Sequence, residues 1–477
     1  MPKTWTPTPP LPSPIQSTGP IGWMRKNLFS SPANSILTLF SVYLLYILIT
    51  PLIQWAVVDA TWLGNSRACC DEAAALGKNG ACWTFVKVRL NMFLYGFYPK
   101  AEQWRINFIM LILLFHALPI LLPDIINRKK RIGFTIMALV AALLLFGPVP
   151  MIIVFLFAVL PMFFGRLSTN GSVPLITLQG FAGVAFRLLA GIVIGCIAGS
   201  ISKELGAAET ATYIGLVSGV LIWVLLQVRN LGAGAWQWVM LFTCFPLLAF
   251  ILLSGNAFGL AHVETHYWGG LFLTLVVAVT GMGTALPIGI LLALGRRSTL
   301  PVIRTVCICF IEFARGIPLV SVLFMVSVML PLMLPHDVNF DKLLRALIGI
   351  AFFYAAYMAE VVRGGLQAIP SQQYEAAQAL GWTYWRMMFK IILPQTLRLI
   401  IPGLANNFLS LLKDTTLVAV IGLFDLLGIS KAAMADADWL GFTKESYLFS
   451  AMVFWILCFC MSRYFLYLER KYHTSYH

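Results

Sequence analysis

Residues 373–394 read QYEAAQALGWTYWRMMFKIILP, and their polarity sets them apart from almost everything around them. Glu375, Arg386 and Lys390 lie here among small and aromatic residues, whereas the flanking stretches are long apolar runs. A hydrocarbon core about 30 Å thick takes about 20 mostly apolar residues per helical span. The segment therefore reads as a connection between spans, and its side of the membrane follows from counting them.

The composition fixes the class in which that count is made. The chain of 477 residues is 60% hydrophobic and only 11% charged, with a mean hydropathy of +0.85. Soluble domains carry about 25% charged residues. The expected fold is an all-α polytopic membrane protein, since barrel strands would alternate apolar and polar residues and no such pattern recurs. In a soluble chain, 33 Lys+Arg against 19 Asp+Glu, a net charge of +14, would suggest nucleic acid. Here the basic residues gather in short loops, which is the positive-inside pattern of a chain whose solvent is membrane lipid, and no nucleic-acid partner is expected.

The predicted order is a Pro-rich, disordered cytoplasmic tail at 1–30, then spans at 35–57, 106–124, 132–148, 149–165, 181–200, 211–228 and 236–254. These form an N-terminal extension, 31–260, of about 7 transmembrane helices, with a periplasmic loop at 58–105. The RKKR run at 128–131 is its strongest inside marker. Five more spans, at 267–294, 315–335, 343–360, 396–413 and 447–467, occupy a second region, 261–470, ahead of a short cytoplasmic tail at 471–477. About 12 transmembrane helices put both termini in the cytoplasm, and the same parity puts 373–394 there.

Within this cytoplasmic loop, 364–394, Pro370 and Ser371 can open a helix, with Ser371 as N-cap and Glu375 complementing the helix dipole. Ala376, Ala377, Ala379 and Leu380 extend it for about nine residues, and Gly381 suits the left-handed position beyond its end. WTYWRMMFKIILP then reads as a basic, aromatic interfacial helix, and Pro394 begins the next descent. The product is a compact knob that the cleft of another protein can grip.

The spacing of Glu375, Ala376, Ala377, Gly381, Ile391, Leu393 and Pro394 resembles the EAA loop of importer-type ABC transporter permeases. EFARGIPLVSVLF at 312–324 and KDTTLVAVIGLFDLLG at 413–428 are similar to signature segments of the polar amino acid branch, departing from them at Ala314, Ile317 and Thr416. GACWTF and YGFYPKAEQWR resemble the larger, M-type permease of general L-amino acid importers. The resemblance implies a five-helix type I ABC importer core in the C-terminal half and a place in the bacterial inner membrane. It also implies an amino acid substrate, a second permease subunit, an ABC ATPase dimer with ATP and Mg on it, and a periplasmic amino-acid-binding protein. Seating of the loop in the ATPase then falls to Glu375, Ala376, Ala377, Gly381, Leu393 and Pro394. The alternative reading is an ion-coupled secondary amino acid transporter, which needs no ATPase.

No GxxxxGK[ST] motif is present, so no phosphate-cradling loop and no catalytic residue are expected; cofactors belong to the partner. Histidines and cysteines form no metal-ligand pattern. Cys82 can pair with Cys69 or Cys70 if its loop is extracytoplasmic, or all three can be free thiols. Glu312 with Arg315, and Glu360 with Arg363, stand three apart and suit structural ion pairs on one helix face. Asn406 and Asn407 fall about 15 Å along a helix counted from Thr396, near the middle of the bilayer, where an amide needs a partner. With Ser410, Lys413, Asp414, Thr415 and Thr416 they are the candidate substrate path, the last four near the outer surface, where 417–428 is expected to shape a partly inserted gate.

Overall fold

The computed structural model describes residues 19–77, 79–121, 245–255, 260–333 and 340–472, and the expected spans from 132 to 228, with the first part of the one at 236–254, lie outside them. The described residues are helical and contain no strand. Among the described residues, five helices are long and apolar enough to cross a membrane: Pro32–Val58, Gly270–Arg296, Lys342–Ala368, Ile401–Ile421 and Thr443–Tyr472. The helices Pro301–Gly316 and Leu319–Met333, bent by 107° to one another, add a sixth only if the pair is taken together as one broken span.

By chain contacts the molecule divides into a unit of residues 1–90 with 434–449 and a unit of residues 91–433 with 450–477. In the first unit, α1 (Gly19–Asn27) is helical inside the tail expected to be disordered; its Arg25 and Lys26 lie in the last turn, where cations suit the dipole. Ser31 caps α2 (Pro32–Ile53), accepting the Asn34 N–H at 3.2 Å, and a π-helical turn, Gln54–Val58, ends the span. No side chain of α2 is buried, as befits a helix surrounded by lipid.

The expected external loop is itself largely helical, in α3 (Ala68–Ala75) and α4 (Trp83–Tyr95). Of the two partners left open for Cys82, the bond goes to Cys70, and Cys69 is a free thiol. Trp83 donates to the Ala56 carbonyl at 2.7 Å, and the Cys82 N–H donates to Glu445 at 3.1 Å. Arg89 pairs with Asp436, so the segment 434–449 closes this unit.

The second unit holds α5 (Gln103–Leu121), α6 (Phe245–Ser254) and the core helices. Arg105, fully buried, binds Glu102 at 2.6 Å and donates to the Ala261 carbonyl at 2.9 Å, which fixes the chain entering the core. Tyr98 donates to the Leu253 carbonyl at 2.8 Å, and burial raises its phenol to about 12. α7 (Gly270–Arg296) is about 40 Å long. Its Gly281, Ala285, Gly289 and Ala293 repeat every fourth residue and form a shallow stripe. A Cβ on Gly289 would lie 2.5 Å from the Met358 Cβ and 3.0 Å from the Ala355 carbonyl oxygen. The stripe is what lets α10 (Lys342–Ala368) approach, with Ala355, Ala356 and Ala359 buried on its side. Asp341 caps α10, accepting the Leu343 N–H at 2.8 Å.

One expected span is redrawn. In place of a helix over 315–335, α8 (Pro301–Gly316) and α9 (Leu319–Met333) meet at a bend of 107°. Pro318 pushes Ile317 into an extended conformation, φ −110°, and stops the helix. Beyond α10 come the short α11 (Ser371–Ala379) and α12 (Tyr384–Met387), a π-helical turn at Met388–Ile392, then α13 (Leu393–Leu399) and α14 (Ile401–Asp414). A 3-10 stretch, Thr415–Ile421, leads to α15 (Leu426–Met434), and α16 (Thr443–Tyr472) is the last span.

Candidate functional site: a projecting helix, an ionic hub and a polar stripe

The stretch 373–394 folds as a short helix with a defined stop. Ser371 is the first helical residue of α11, with Pro370 ahead of it and no side-chain cap, so the N-cap expected at Ser371 is displaced by one position. At the far end the Gly381 N–H donates to the Gln378 carbonyl at 2.9 Å and the Trp382 N–H to the Ala377 carbonyl at 3.2 Å. This pair of bonds is a Schellman motif, and Gly381 supplies its left-handed residue at φ +71°. Of the helix, Ala377 alone is buried; Glu375, Ala376 and Ala379 face outward and Leu380 is 74% exposed. Leu393 is buried and Pro394 exposed where the chain re-enters the core.

Tyr374 moors this knob. Arg297 donates to its hydroxyl at 3.0 Å, and the hydroxyl lies 3.3 Å from the Leu366 carbonyl, to which it can donate. The Arg297 guanidinium also stands 5.4 Å from the Tyr374 ring centroid. Partial burial raises the neighbouring Tyr384 phenol above its ordinary value, against the opposing pull of the Arg297 charge.

Behind the knob the charged residues form one hub instead of two separate pairs. Glu360 binds Arg363 at 2.7 Å, the spacing anticipated from sequence, and also Arg296 at 2.8 Å and Arg315 at 3.7 Å. Glu312 turns to Arg296, at 3.0 Å, and not to Arg315. The physical reason is the tight turn after α7: it brings α8 back across the end of α7, so that Cys307 lies against Gly295 and Glu312 meets Arg296. Arg296 is the residue that sequence reasoning missed. Its signal was there, because a basic residue ending an apolar helix with carboxylates on the next two helices invites such a hub.

The candidate path residues separate on α14. Asn406, Ser410 and Lys413 are exposed at i, i+4 and i+7, one stripe of the helix. Asn407 turns inward, its amide 3.9 Å from the Met358 sulfur. Asp414 accepts a hydrogen bond from Tyr354 at 2.5 Å, a partner no sequence spacing announced. The Thr415 and Thr416 hydroxyls donate to the Leu412 and Lys413 carbonyls, which occupies their protons. Within the stretch expected as a gate, Asp425 is fully buried and caps α15 through the Leu427 and Gly428 N–H groups at 3.2 and 2.9 Å. Burial raises its carboxyl above the ordinary value, opposed by those hydrogen bonds and by Lys431. Among the described residues no group of His, Cys, Asp and Glu is arranged to hold a metal.

These features define a helical membrane component with a polar projection. The family model described as binding-protein-dependent transport system inner membrane component matches residues 285–474. The inner membrane amino-acid ABC transporter permease protein YhdY of Escherichia coli (strain K12) is 38% identical over 98% of this chain and 97% of its own length. The glutamate/glutamine/aspartate/asparagine transport system permease protein BztC of Rhodobacter capsulatus is 39% identical over 97% of this chain and 96% of its own. The crystal structure of an amino acid ABC transporter with histidines is similar, 29% identical over 42% of this chain and 92% of that one, with a TM-score of 0.38. The chain belongs to the family of amino-acid ABC transporter permeases. It is a non-catalytic permease subunit and a multi-pass protein of the inner membrane. Membership implies an ATPase and a substrate-binding protein as partners, and it sets aside the ion-coupled alternative.

Proposed function

We propose that this chain lines half of the translocation path of an ATP-driven amino acid importer, beside a second, different permease subunit, and takes its drive through α11. The observation that carries the reading is the projecting helix itself. Its end is fixed by a Schellman turn, its root is held by Ala377 and Tyr374, and its remaining side chains are open. Such a knob transmits a push without bending, since its backbone groups are already satisfied. ATP and Mg reside on the ATPase dimer, whose closure moves the knob and tilts the spans attached to it. The knob faces the cytoplasm, the termini share that side, and the Cys70–Cys82 loop lies outside, where a disulfide persists.

Asn406, Ser410 and Lys413 form the part of the path contributed by this subunit. Their stripe offers an amide, a hydroxyl and an ammonium to a polar amino acid, which carries both donors and acceptors. Acidic and amide amino acids, the substrates named for one relative, are the proposed class. The test is uptake of labelled glutamate and glutamine by the reconstituted complex. Lys413→Gln is expected to weaken uptake while leaving assembly with the ATPase unchanged. Uptake by this chain without an ATPase would overturn the reading.

A further inference from the structure

A cavity of about 320 Å³ opens beside the hub, lined by Arg296, Arg297, Arg304, Ile308, Arg363 and Gln367. Its size is that of a small ligand site. Four of its six lining residues are arginines and none is acidic. Glu312 and Glu360 lie close by and engage Arg296, Arg363 and Arg315. Five guanidinium groups thus meet two carboxylates, which leaves a surplus of three positive charges. Arg304 makes no side-chain hydrogen bond or ion pair among the described residues. Arg297 spends one nitrogen on Tyr374 and keeps others free, since a guanidinium carries five N–H donors.

We infer that this cavity is a phosphate-binding site that takes the headgroup phosphate of an anionic phospholipid. Guanidinium forks match phosphate oxygens two at a time, and a cluster with unspent positive charge is the chemistry that recognises them. A lipid is favoured over other phosphates by the helix that carries Arg304. α8 runs back against the end of the span α7 and stands at 107° to the next helix, an orientation that suits a helix at the membrane surface. It exposes Val302, Val306, Cys309 and Phe313 at i, i+4, i+7 and i+11, an apolar stripe for acyl chains beside the cavity. Arg297 joins the cavity to Tyr374, so occupancy would stiffen the root of the knob.

The test uses the purified importer complex with its full chain, titrated with phosphatidylglycerol, phosphatidylcholine and inorganic phosphate, with binding read by native mass spectrometry and calorimetry. Arg304→Gln is expected to weaken phosphatidylglycerol binding about tenfold or more, the scale of one charge-assisted hydrogen-bonding partner. Arg386→Gln, which removes the same charge from the exposed loop, is expected to leave it unchanged. Phosphatidylglycerol bound selectively and lost in Arg304→Gln supports a lipid site; inorganic phosphate bound as tightly and lost in the same variant moves the assignment to free phosphate. Equal weakening by both variants would reduce the effect to bulk charge and overturn the proposal. So would loss of the ATPase from the Arg304→Gln complex with anion binding intact, which would make the cavity a protein contact.

Discussion

Arg297 and Tyr374 meet twice, through a 3.0 Å hydrogen bond and through a guanidinium 5.4 Å from the ring centroid. One residue follows the last turn of the long core helix α7 and the other belongs to the projecting α11, so their contact is where the knob is tied to the bundle.

Breaking that tie should uncouple without unfolding. Tyr374→Phe keeps the ring and removes the hydroxyl, worth about 1 kcal/mol, and Tyr374→Ala removes the cation–ring contact as well, about 0.5–1 kcal/mol more. Uptake by the reconstituted complex is expected to fall roughly fivefold in the phenylalanine variant and more than about tenfold in the alanine variant. Membrane levels measured by immunoblot should stay those of the native chain, and unaltered uptake in both variants would deny the tether.

Glu360 should matter far more than Glu312. Its side chain is 16% exposed and serves three arginines, whereas Glu312 is 55% exposed and serves one. Glu360→Gln is expected to cost about 2 kcal/mol by leaving guanidinium groups underpaired, and Glu312→Gln about 0.5 kcal/mol. Thermal unfolding of the purified complex ranks the two, and equal losses would contradict a hub centred on Glu360.

Packing of α7 on α10 makes a sharp contrast between two glycines. Gly289→Ala forces a methyl group to within 2.5 Å of Met358 and is expected to destabilise by about 1–3 kcal/mol. Gly364→Ala, with nothing within 4 Å of the new Cβ, should be neutral or stabilise by up to about 1 kcal/mol. The same unfolding measurement reads both.

Asp425 gives a pH signature. Because burial raises its folded-state pKa above the unfolded value, the folded state keeps its proton while the unfolded chain loses it. The associated stability is fully present below the ordinary aspartate range and is lost as pH rises through the raised folded-state value. Asp425→Asn keeps an acceptor for the Leu427 and Gly428 N–H groups and should flatten this dependence. Melting temperatures across the acid range, compared between the two proteins, check it.

Hydropathy made the core spans legible because a bilayer imposes a length that few other constraints imitate. The knob was legible too: small residues, then Gly381, spell a short helix and its stop. α8 was not, because Arg304, Glu312 and Arg315 interrupt its apolar residues, so its 16 residues do not read as an apolar run. The hub was hidden for a different reason. Glu312 finds Arg296 across a turn, sixteen positions away, and not the Arg315 that stands beside it on the same helix. Asn407 and Asp414 stand where a helical count puts path residues, and the structure sets them against Met358 and Tyr354, partners that the count does not show.

The central claim is that α11 is gripped by the ATPase. It is tested most directly by placing a photo-crosslinking amino acid at Leu380, at the exposed tip, and at Asn406 on the α14 stripe, in the assembled importer. A crosslink to the ATPase is expected from position 380 and none from position 406. Absence of any ATPase crosslink from 380 in a complex that still transports would contradict it.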